Sequence, residues 1–194
     1  VLIPSNYLHY SFIRQSLERL KIVFKIFDVK SALQVKNLFA IPVPHVGRFN
    51  EGLLHSFRDA FSKSVIENVK PHRLLYISRD KAKRRKVSNE LELTSFLMAK
   101  GFEKVILEDY TLDQQIQLMN ESKMVISCHG AGLTNILFMQ KGQTVIELKA
   151  SNNNYWCYFS LARVFGLDYN YILCEGDNEN HRDANITVDL QGLS

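Results

Sequence analysis

The sequence predicts an α/β protein built on a parallel sheet that is flanked by helices. From residue 73 onward, short runs rich in β-branched and aromatic residues alternate with amphipathic helical runs, as in strands joined by helical crossovers. Of the 194 residues, 46% are hydrophobic and 23% are charged. This composition excludes a disordered chain and suffices for one globular domain, or for two small lobes that share a cleft. No apolar run approaches the roughly 18 to 20 residues that cross a bilayer.

Capping signals define the elements of the C-terminal two thirds. Asn89, with Glu92 at the third helical position, is the predicted N-cap of one helix, and Thr111 with Gln114 is a second capping-box signature. Gly166 follows an apolar run and is expected to end the last helix. Predicted strands cover residues 73–78, 104–107, 124–127, 144–148, 169–173 and 186–190, and further helices cover residues 133–139 and 155–165.

The first 70 residues are predicted to form a less regular α/β segment. Strands are expected at residues 1–3, 22–27 and 36–41, and helices at about 7–20 and 51–69, with a loop that contains two prolines and a glycine at 42–49. The chain begins with a strand-like Val-Leu-Ile-Pro, so we expect N-terminal sequence, with any targeting signal, to be missing. The predicted division is a partial N-terminal lobe (1–50), an interlobe helix (51–70) and a C-terminal lobe (71–194).

The cysteines and the sequons bear on the compartment. Three cysteines without metal-type spacing, Cys128, Cys157 and Cys174, argue against a disulfide framework and against a zinc site, and favour a reducing compartment. Two N-x-S/T triplets begin at Asn120 and Asn185, but such triplets arise often by chance. We therefore expect a cytoplasmic bacterial protein, or one peripheral at a membrane. A Golgi or endoplasmic reticulum lumen is the alternative for a eukaryotic protein.

The strongest local motif is a glycine turn after the strand that ends near residue 127. His129, Gly130, Ala131 and Gly132 lie between this strand and the next helix, where backbone amides can approach a phosphate. A tight turn without a ligand is about equally compatible with the loop alone. The turn lacks the GxGxxG fingerprint, and the chain has no GxxxxGK[ST] or GxSxG sequence, which disfavours nicotinamide enzymes, P-loop NTPases and α/β-hydrolases.

A basic loop follows the first strand of the C-terminal part. Six of the eight residues from 79 to 86 are cationic, and the loop is expected at the same carboxyl edge of the sheet as the glycine turn. We interpret Arg79 as a phosphate ligand, and Lys81, Lys83 and Lys86 as surface charge. Aromatic residues that stack on bases are absent from the loop, which weakens a nucleic-acid interpretation.

An acidic strand end and an aromatic cluster complete the candidates. Glu147 lies near the end of the strand at 144–148, where a carboxylate accepts two sugar hydroxyls in nucleotide-binding folds, although a structural carboxylate is about as common. Tyr155, Trp156 and Tyr158 follow it. They are candidates for stacking on a base or sugar, although such aromatic clusters more often pack in the core.

Two segments together resemble glycosyltransferase family 61. They are LLYISRDKAKRRKVSNE at 74–90 and GFEKVILEDYTLDQQIQLMNESKMVISCHGAGLTNILFMQKGQTVIEL at 101–148. The resemblance is clear from residue 73 to about 175 and thinner from 1 to 69. The family includes plant xylosyltransferases, animal O-linked N-acetylglucosaminyltransferases of the secretory pathway, and bacterial proteins of capsular polysaccharide synthesis.

The resemblance implies a GT-B-like architecture of two facing Rossmann-type lobes and an inverting transfer from a nucleoside-diphosphate sugar, with UDP-sugars expected. It implies that Arg79 and the turn with His129 hold the diphosphate and stabilise the departing nucleotide, so that neither a metal nor a cofactor is needed. Asn135 and Glu147 are implied as further donor-site residues. The acceptor is a glycan, or a hydroxyl on a lipid-linked or protein substrate. The general base is unassigned, and His45 is a candidate by position alone.

Two other classes compete with this interpretation. One is a non-catalytic α/β module that binds nucleotides or polyanions through the basic loop and the glycine turn. The other is a nucleic-acid-binding protein, whose affinity would fall steeply with salt. We rank the transferase first, the binding module second and nucleic-acid binding third.

Overall fold

A computed structural model of the chain describes residues 1–37, 39, 49–62, 69–180 and 183–193. The N-terminal part forms a small parallel pair of strands with one helix between them, and a second helix follows. The predicted strand at 36–41 is absent at residues 36, 37 and 39, and its other positions lie outside the described residues. The elements are β1 (Leu2–Pro4), a 3₁₀ turn (Ser5–Tyr7), α1 (Ser11–Arg19), β2 (Lys25–Phe27) and α2 (Glu51–Ser62).

The C-terminal part forms a larger sheet with the predicted alternation of strands and helices. Its elements are β3 (Arg73–Ile77), α3 (Glu90–Ala99), β4 (Glu103–Val105), a 3₁₀ turn (Leu107–Asp109), α4 (Leu112–Glu121), β5 (Ser122–Cys128), a 3₁₀ helix (Ala131–Phe138), β6 (Thr144–Ala150), α5 (Cys157–Phe165), β7 (Asp168–Gly176), β8 (Ile186–Thr187) and a 3₁₀ turn (Gln191–Leu193).

The strand order of this sheet is β4-β3-β5-β6-β7-β8. The first five strands are parallel, and β8 is antiparallel to β7. Counted from β3, the parallel order is 2-1-3-4-5, which is one of the two common orders of doubly wound α/β folds. The expected parallel sheet flanked by helices is confirmed, while the arrangement of two facing lobes and the division at residues 50 and 70 stay predictions.

Helices cover both faces of the sheet, so each face buries its own apolar cluster. One face packs against α3 through Leu93 and Leu97, and the other packs against α2, α4, α5 and the long 3₁₀ helix. Side chains alternate along β5, where Val125 faces the second cluster and Ile126 the first. This period of two is what places Ser127 and His129 on the same side as Val125.

The sheet curls, because its last strand returns toward the first. Ile186 of β8 pairs with Gly176 of β7 and also bridges Val87, which follows the basic loop after β3. The amide of Ser88 donates to the carbonyl of Ile186, and the amide of Ile186 donates to the carbonyl of Lys86. The C-terminal segment therefore holds the far end of the basic loop in place.

All three predicted helix termini are confirmed, but the side-chain capping bond expected of Asn89 is wrong. Thr111 and Gln114 form the complete capping box, and Gly166 ends α5 in the left-handed conformation. Asn89 precedes α3 but makes no capping bond. Its side chain instead donates to the carbonyl of Val188 at 2.9 Å and accepts from the amide of Val188 at 3.0 Å. Pairing with a distant strand segment satisfies both ends of the Asn89 amide, which no local pattern reveals.

The two sequons lie at structured positions. Asn120 is 2% exposed near the end of α4, so it is not accessible to a glycosylating enzyme in the folded chain. The Asn185 side chain donates to Asp177 and accepts from the amide of Lys86. The three cysteines are free. No helix among the described residues is long and apolar enough to cross a membrane.

Replacing Asn89 by Asp distinguishes its two possible roles. Aspartate is a good N-cap, so a capping residue would tolerate the change. The structure predicts that Asn89→Asp lowers the free energy of unfolding by about 1 to 3 kcal/mol, because the carbonyl of buried Val188 loses its donor. Urea denaturation measures this. Unchanged stability in Asn89→Asp would contradict the assigned pairing.

Candidate functional site

The candidate site lies at the carboxyl ends of β3 and β5, where the order of the sheet reverses. From β3 the chain first moves outward to β4 and then crosses back to β5 on the other side. Open α/β sheets bind ligands in the crevice at the carboxyl ends of the strands beside such a reversal. Arg79 follows β3 and His129 follows β5. The topology thus brings the two strongest sequence motifs together.

Glu90 fixes the base of the basic loop. It accepts hydrogen bonds from Tyr76 and from Ser78, and it forms an ion pair with Lys104 at 3.1 Å. Lys104 also pairs with Asp80. The start of the loop is therefore held against α3 and β4 by a charged network.

Arg79 braces the basic loop from within. Its Nε donates to the carbonyl of Arg85 at 3.0 Å, and its Nη2 donates to the carbonyl of Arg84 at 3.2 Å. These bonds occupy part of the guanidinium fork on the loop itself. Arg79 therefore orders the loop, and its Nη1 is the part of the fork directed at the glycine turn.

Gly130 is the contact point of the two loops. A Cβ at this position would lie 2.1 Å from Nη1 and 2.8 Å from Cζ of Arg79. The backbone of Gly130 is extended, at φ 171° and ψ 169°, so the requirement for glycine comes from space. The turn needs glycine here because the guanidinium of Arg79 occupies the volume of a side chain.

Arg85 is the cation that lines the crevice. Its backbone is left-handed, with φ of 58°, and the next amide, that of Lys86, donates to the Asn185 side chain at 2.9 Å. The Nε of Arg85 is buried and has no hydrogen-bond partner. Burial, with the charges of Arg79 and Arg84, lowers the pKa of Arg85. A buried guanidinium donor without a partner costs free energy.

The crevice is a small surface pocket that is open to solvent. Its lining combines one guanidinium, one imidazole, one thiol, one amide and an apolar floor. The lining residues are Arg85, Cys128, His129, Leu148, Ala150, Asn153, Ala184 and Ile186.

His129 is tied to a buried carboxylate. Its Nδ1 is hydrogen bonded to Glu147, and the other carboxylate oxygen of Glu147 accepts from the hydroxyl of Tyr169. The Glu147 side chain is 0% exposed and that of His129 is 12% exposed. The ring of His129 also contacts Tyr158 edge-on and lies parallel to Tyr155. In this arrangement neither carboxylate oxygen of Glu147 is exposed, so neither is accessible to the sugar hydroxyls that the sequence predicted as its partners.

Lys149 is a buried cation beside the same cluster. It is 0% exposed, and its Nζ donates to the carbonyl of Tyr155 at 2.6 Å and lies 3.7 Å from the ring centroid of Trp156. Burial lowers the pKa of Lys149, and the charge of Glu147 opposes that shift. Lys149 therefore anchors the loop that forms one wall of the pocket.

The remaining predicted residues have other surroundings. Ala131 is exposed at the start of the 3₁₀ helix, and Gly132 lies close to Leu107, which a Cβ would approach to 3.3 Å. Asn135 donates to Gln115 and to the carbonyl of Gly132, each at 3.2 Å, so it ties the turn to α4. His45 lies outside the described residues.

The aromatic cluster divides between core and surface. Tyr158 packs against the cluster of the α5 face, and burial raises its pKa to about 12. Trp156 is 44% exposed and contacts Tyr171 edge-on. Tyr155 lies beside His129. Of the three, Tyr155 and Tyr158 border the site through the His129 ring.

Sequence reasoning missed Arg85, Asn153, Tyr169 and Lys149. Arg85 is one of six cations in a row, and only the path of the loop distinguishes it. Tyr169 was predicted to lie on a strand but was given no role. Val145 and Glu147 lie two residues apart on β6 and therefore share a face, and Tyr169 of β7 pairs with Val145 on that face. Lys149 continues β6 one residue beyond the predicted end.

Comparison with known proteins gives consistent matches. A sequence model of the family described as Glycosyltransferase 61 matches residues 2–146. The human protein O-linked-mannose beta-1,4-N-acetylglucosaminyltransferase 2 is 35% identical over 95 residues, which are 45% of this chain and 16% of the human protein. The EGF domain-specific O-linked N-acetylglucosamine transferase of Drosophila melanogaster is 32% identical over 131 residues, 63% of this chain and 25% of that protein. The chain thus spans between a sixth and a quarter of the length of these relatives.

Replacing Gly130 by Ala tests the contact between the two loops. The new methyl group would displace the Arg79 guanidinium and break its bonds to the loop carbonyls, so we expect the free energy of unfolding to fall by about 1 to 3 kcal/mol. Urea denaturation of the unmodified chain, Gly130→Ala, Arg79→Ala and the double variant gives a double-mutant cycle. The cost of Gly130→Ala should largely vanish in the Arg79→Ala background. An equal cost in both backgrounds would show that Arg79 is not the reason for the glycine.

Proposed function

The chain belongs to glycosyltransferase family 61, and from that premise we propose that it carries the donor site of an inverting transferase that uses a nucleoside-diphosphate sugar. The acceptor is a hydroxyl on a glycan, a lipid-linked sugar or a protein. UDP is the proposed nucleotide. The observation that carries the proposal is that Arg85 and His129 line one pocket at the carboxyl ends of β5 and β6.

The proposed site offers a diphosphate several kinds of hydrogen-bond donor. Arg85 supplies a guanidinium, and His129 supplies the ring nitrogen that Glu147 does not bind. The amides of Ala131 and Gly132, which begin the 3₁₀ helix, are the further donors that the sequence predicts, because the first amides of a helix have no intrahelical acceptor. Arg79 supports this arrangement by holding both loops. Arg79 is proposed as a donor-site residue that acts in two ways: its charge attracts the diphosphate, and its hydrogen bonds order the basic loop.

In the proposed reaction the acceptor oxygen attacks the anomeric carbon from the face opposite the nucleotide. The bond between that carbon and the diphosphate oxygen breaks, and the electron pair leaves with the nucleoside diphosphate. Charge therefore grows on the phosphate oxygens in the transition state. Fixed donors aimed at those oxygens lower the barrier, as other transferases do with a metal ion. The transfer is proposed to be metal-independent on this ground.

The rest of the enzyme remains part of the proposal. We propose that residues 1–50 belong to an acceptor-side lobe of a GT-B-like enzyme, joined by the helix at 51–70 to the donor lobe at 71–194. A general base must take the proton of the acceptor hydroxyl. His45 remains the candidate from the sequence.

The relatives suggest the first donor to test. The names of both relatives describe transfer of N-acetylglucosamine. UDP-N-acetylglucosamine is therefore the first donor to assay, ahead of a donor for capsular polysaccharide. Because these relatives are animal proteins, we now favour the eukaryotic alternative for location, a Golgi or endoplasmic reticulum lumen, over a bacterial cytoplasm.

One observation favours the second candidate, a nucleotide- or polyanion-binding module without catalysis. The described residues that line the pocket include no carboxylate, and Glu147, which is hydrogen bonded to His129, is fully buried. Such a module would bind the same diphosphate through Arg85 and His129 and would leave a nucleotide sugar intact.

Titration calorimetry with UDP and with GDP tests the site. We expect UDP to bind without added metal, and Arg85→Met, Arg79→Ala and His129→Ala each to weaken binding by about 10- to 150-fold, the equivalent of about 1.5 to 3 kcal/mol for a hydrogen bond to a charged group. Lys83→Met is the matched control, because it removes an exposed cation of the same loop. It should change the affinity less than about threefold. Equal losses in Lys83→Met and Arg85→Met would indicate general electrostatic attraction.

Turnover of the donor separates the two candidates. The full-length protein, incubated with UDP-N-acetylglucosamine and a pool of hydroxyl acceptors, should release UDP, and Arg85→Met in the same protein should release it at least about tenfold more slowly. Release of UDP is followed by coupled assay and glycosylated product by mass spectrometry. UDP binding without any release, with every donor tried, would support the binding module instead.

A further inference from the structure

We propose that Glu147 is a positioning residue that keeps a proton on Nδ1 of His129 and turns Nε2 of the ring toward the pocket. This assignment replaces direct contact between Glu147 and a sugar. The hydrogen bond from Nε2 to a diphosphate rests on the proposed function, whereas the position of the proton on Nδ1 does not.

The strand register explains why these side chains meet. Ser127 of β5 pairs with Glu147 of β6, and Val145 of β6 pairs with Tyr169 of β7. Side chains two residues apart along a strand share a face. His129, Glu147 and Tyr169 therefore lie on the same side of three adjacent strands, under α5, and form a continuous line of hydrogen bonds.

Both oxygens of Glu147 are used inside the protein. One binds Nδ1 of His129 and the other accepts from Tyr169, and the carboxylate is 0% exposed. A buried carboxylate without partners would be very costly, and two donors reduce that cost. Glu147 can accept from Nδ1 only while Nδ1 carries a proton. The ring then meets any ligand through Nε2 alone.

The other groups that face this pair come from three places. Lys149 lies on the same strand, two residues beyond Glu147, and Arg85 faces His129 across the pocket from the basic loop. Tyr155 and Tyr158 contact the ring from the segment around the start of α5. Cys157 interacts with the charge of Glu147 from the same helix. Lys149 opposes the charge of Glu147.

The consequence for the site is a defined hydrogen-bonding atom. An imidazole that is fixed in this way accepts at Nε2 when neutral and donates there when protonated. In the proposed function, the protonated ring donates from Nε2 to a phosphate oxygen next to Arg85. Glu147 would then contribute to donor binding without touching the donor.

The position of the proton is measured directly by long-range ¹H–¹⁵N NMR of ¹⁵N-histidine-labelled chain. The six histidines are separated by comparison with His129→Gln. At about pH 8.5, well above the ordinary histidine pKa of about 6.5, we expect His129 to show a protonated Nδ1. A His129 ring with a bare Nδ1 in the unmodified chain would overturn the proposal without any variant.

Two variants separate positioning from simple packing. Glu147→Met keeps the volume near that of glutamate and removes the acceptor, so a form with bare Nδ1 should become populated. Tyr169→Phe is the control, because it removes the other bond of Glu147 and leaves the bond to His129. It should keep the wild-type signature. A protonated Nδ1 that persists fully in folded Glu147→Met would contradict the role of Glu147.

Titration with UDP then tests whether the contact between Glu147 and His129 affects nucleotide binding. Glu147→Gln, which keeps shape and removes charge, should weaken UDP binding by about tenfold, and Tyr169→Phe by less than about threefold. Equal effects of the two variants would count against the positioning role. If the unmodified chain binds no nucleotide, the proposed function fails while the NMR result on the proton still stands.

Discussion

The contact between the Arg79 guanidinium and the bare backbone of Gly130 is the constraint on which the site depends. It joins the loop after β3 to the loop after β5 at the one place where the parallel sheet reverses its order. Because Arg79 also binds the carbonyls of Arg84 and Arg85, the same side chain sets the path of the basic loop. That path places Arg85, whose Nε has no partner, in the wall of the pocket beside His129.

Buried charge is the second constraint, and it organises the opposite wall. Glu147 and Lys149 both lie on β6 with no exposed surface. Each charge is held by polar groups from other elements: Tyr169 and His129 for the carboxylate, and the Tyr155 carbonyl for the ammonium. Such groups are costly to bury. Their presence beside the pocket is typical of a functional site, where stability is lost in exchange for fixed geometry.

Local patterns predicted the elements well and the site contacts less well. The sheet, the capping box at Thr111 and the terminating Gly166 follow from periodicity and from backbone chemistry that acts within a few residues. Asn89 was assigned to a cap and pairs instead with Val188, which is 99 residues away. Arg85 could not be distinguished from neighbouring cations for the same reason, because its burial depends on the C-terminal segment that crosses the loop. The strand ends predicted that the basic loop and the glycine turn meet, since the carboxyl ends of parallel strands lie at one edge of a sheet, and the Arg79 guanidinium does lie against Gly130.

The account centres on a diphosphate bound at this crevice, and a crystal structure of the chain with UDP tests that claim most directly. It predicts both phosphates between the guanidinium of Arg85, Nε2 of His129 and the first amides of the 3₁₀ helix, with Glu147 still bonded to Nδ1 of His129 and not touching the nucleotide. UDP bound at another surface, or ribose hydroxyls bonded to Glu147, would contradict it.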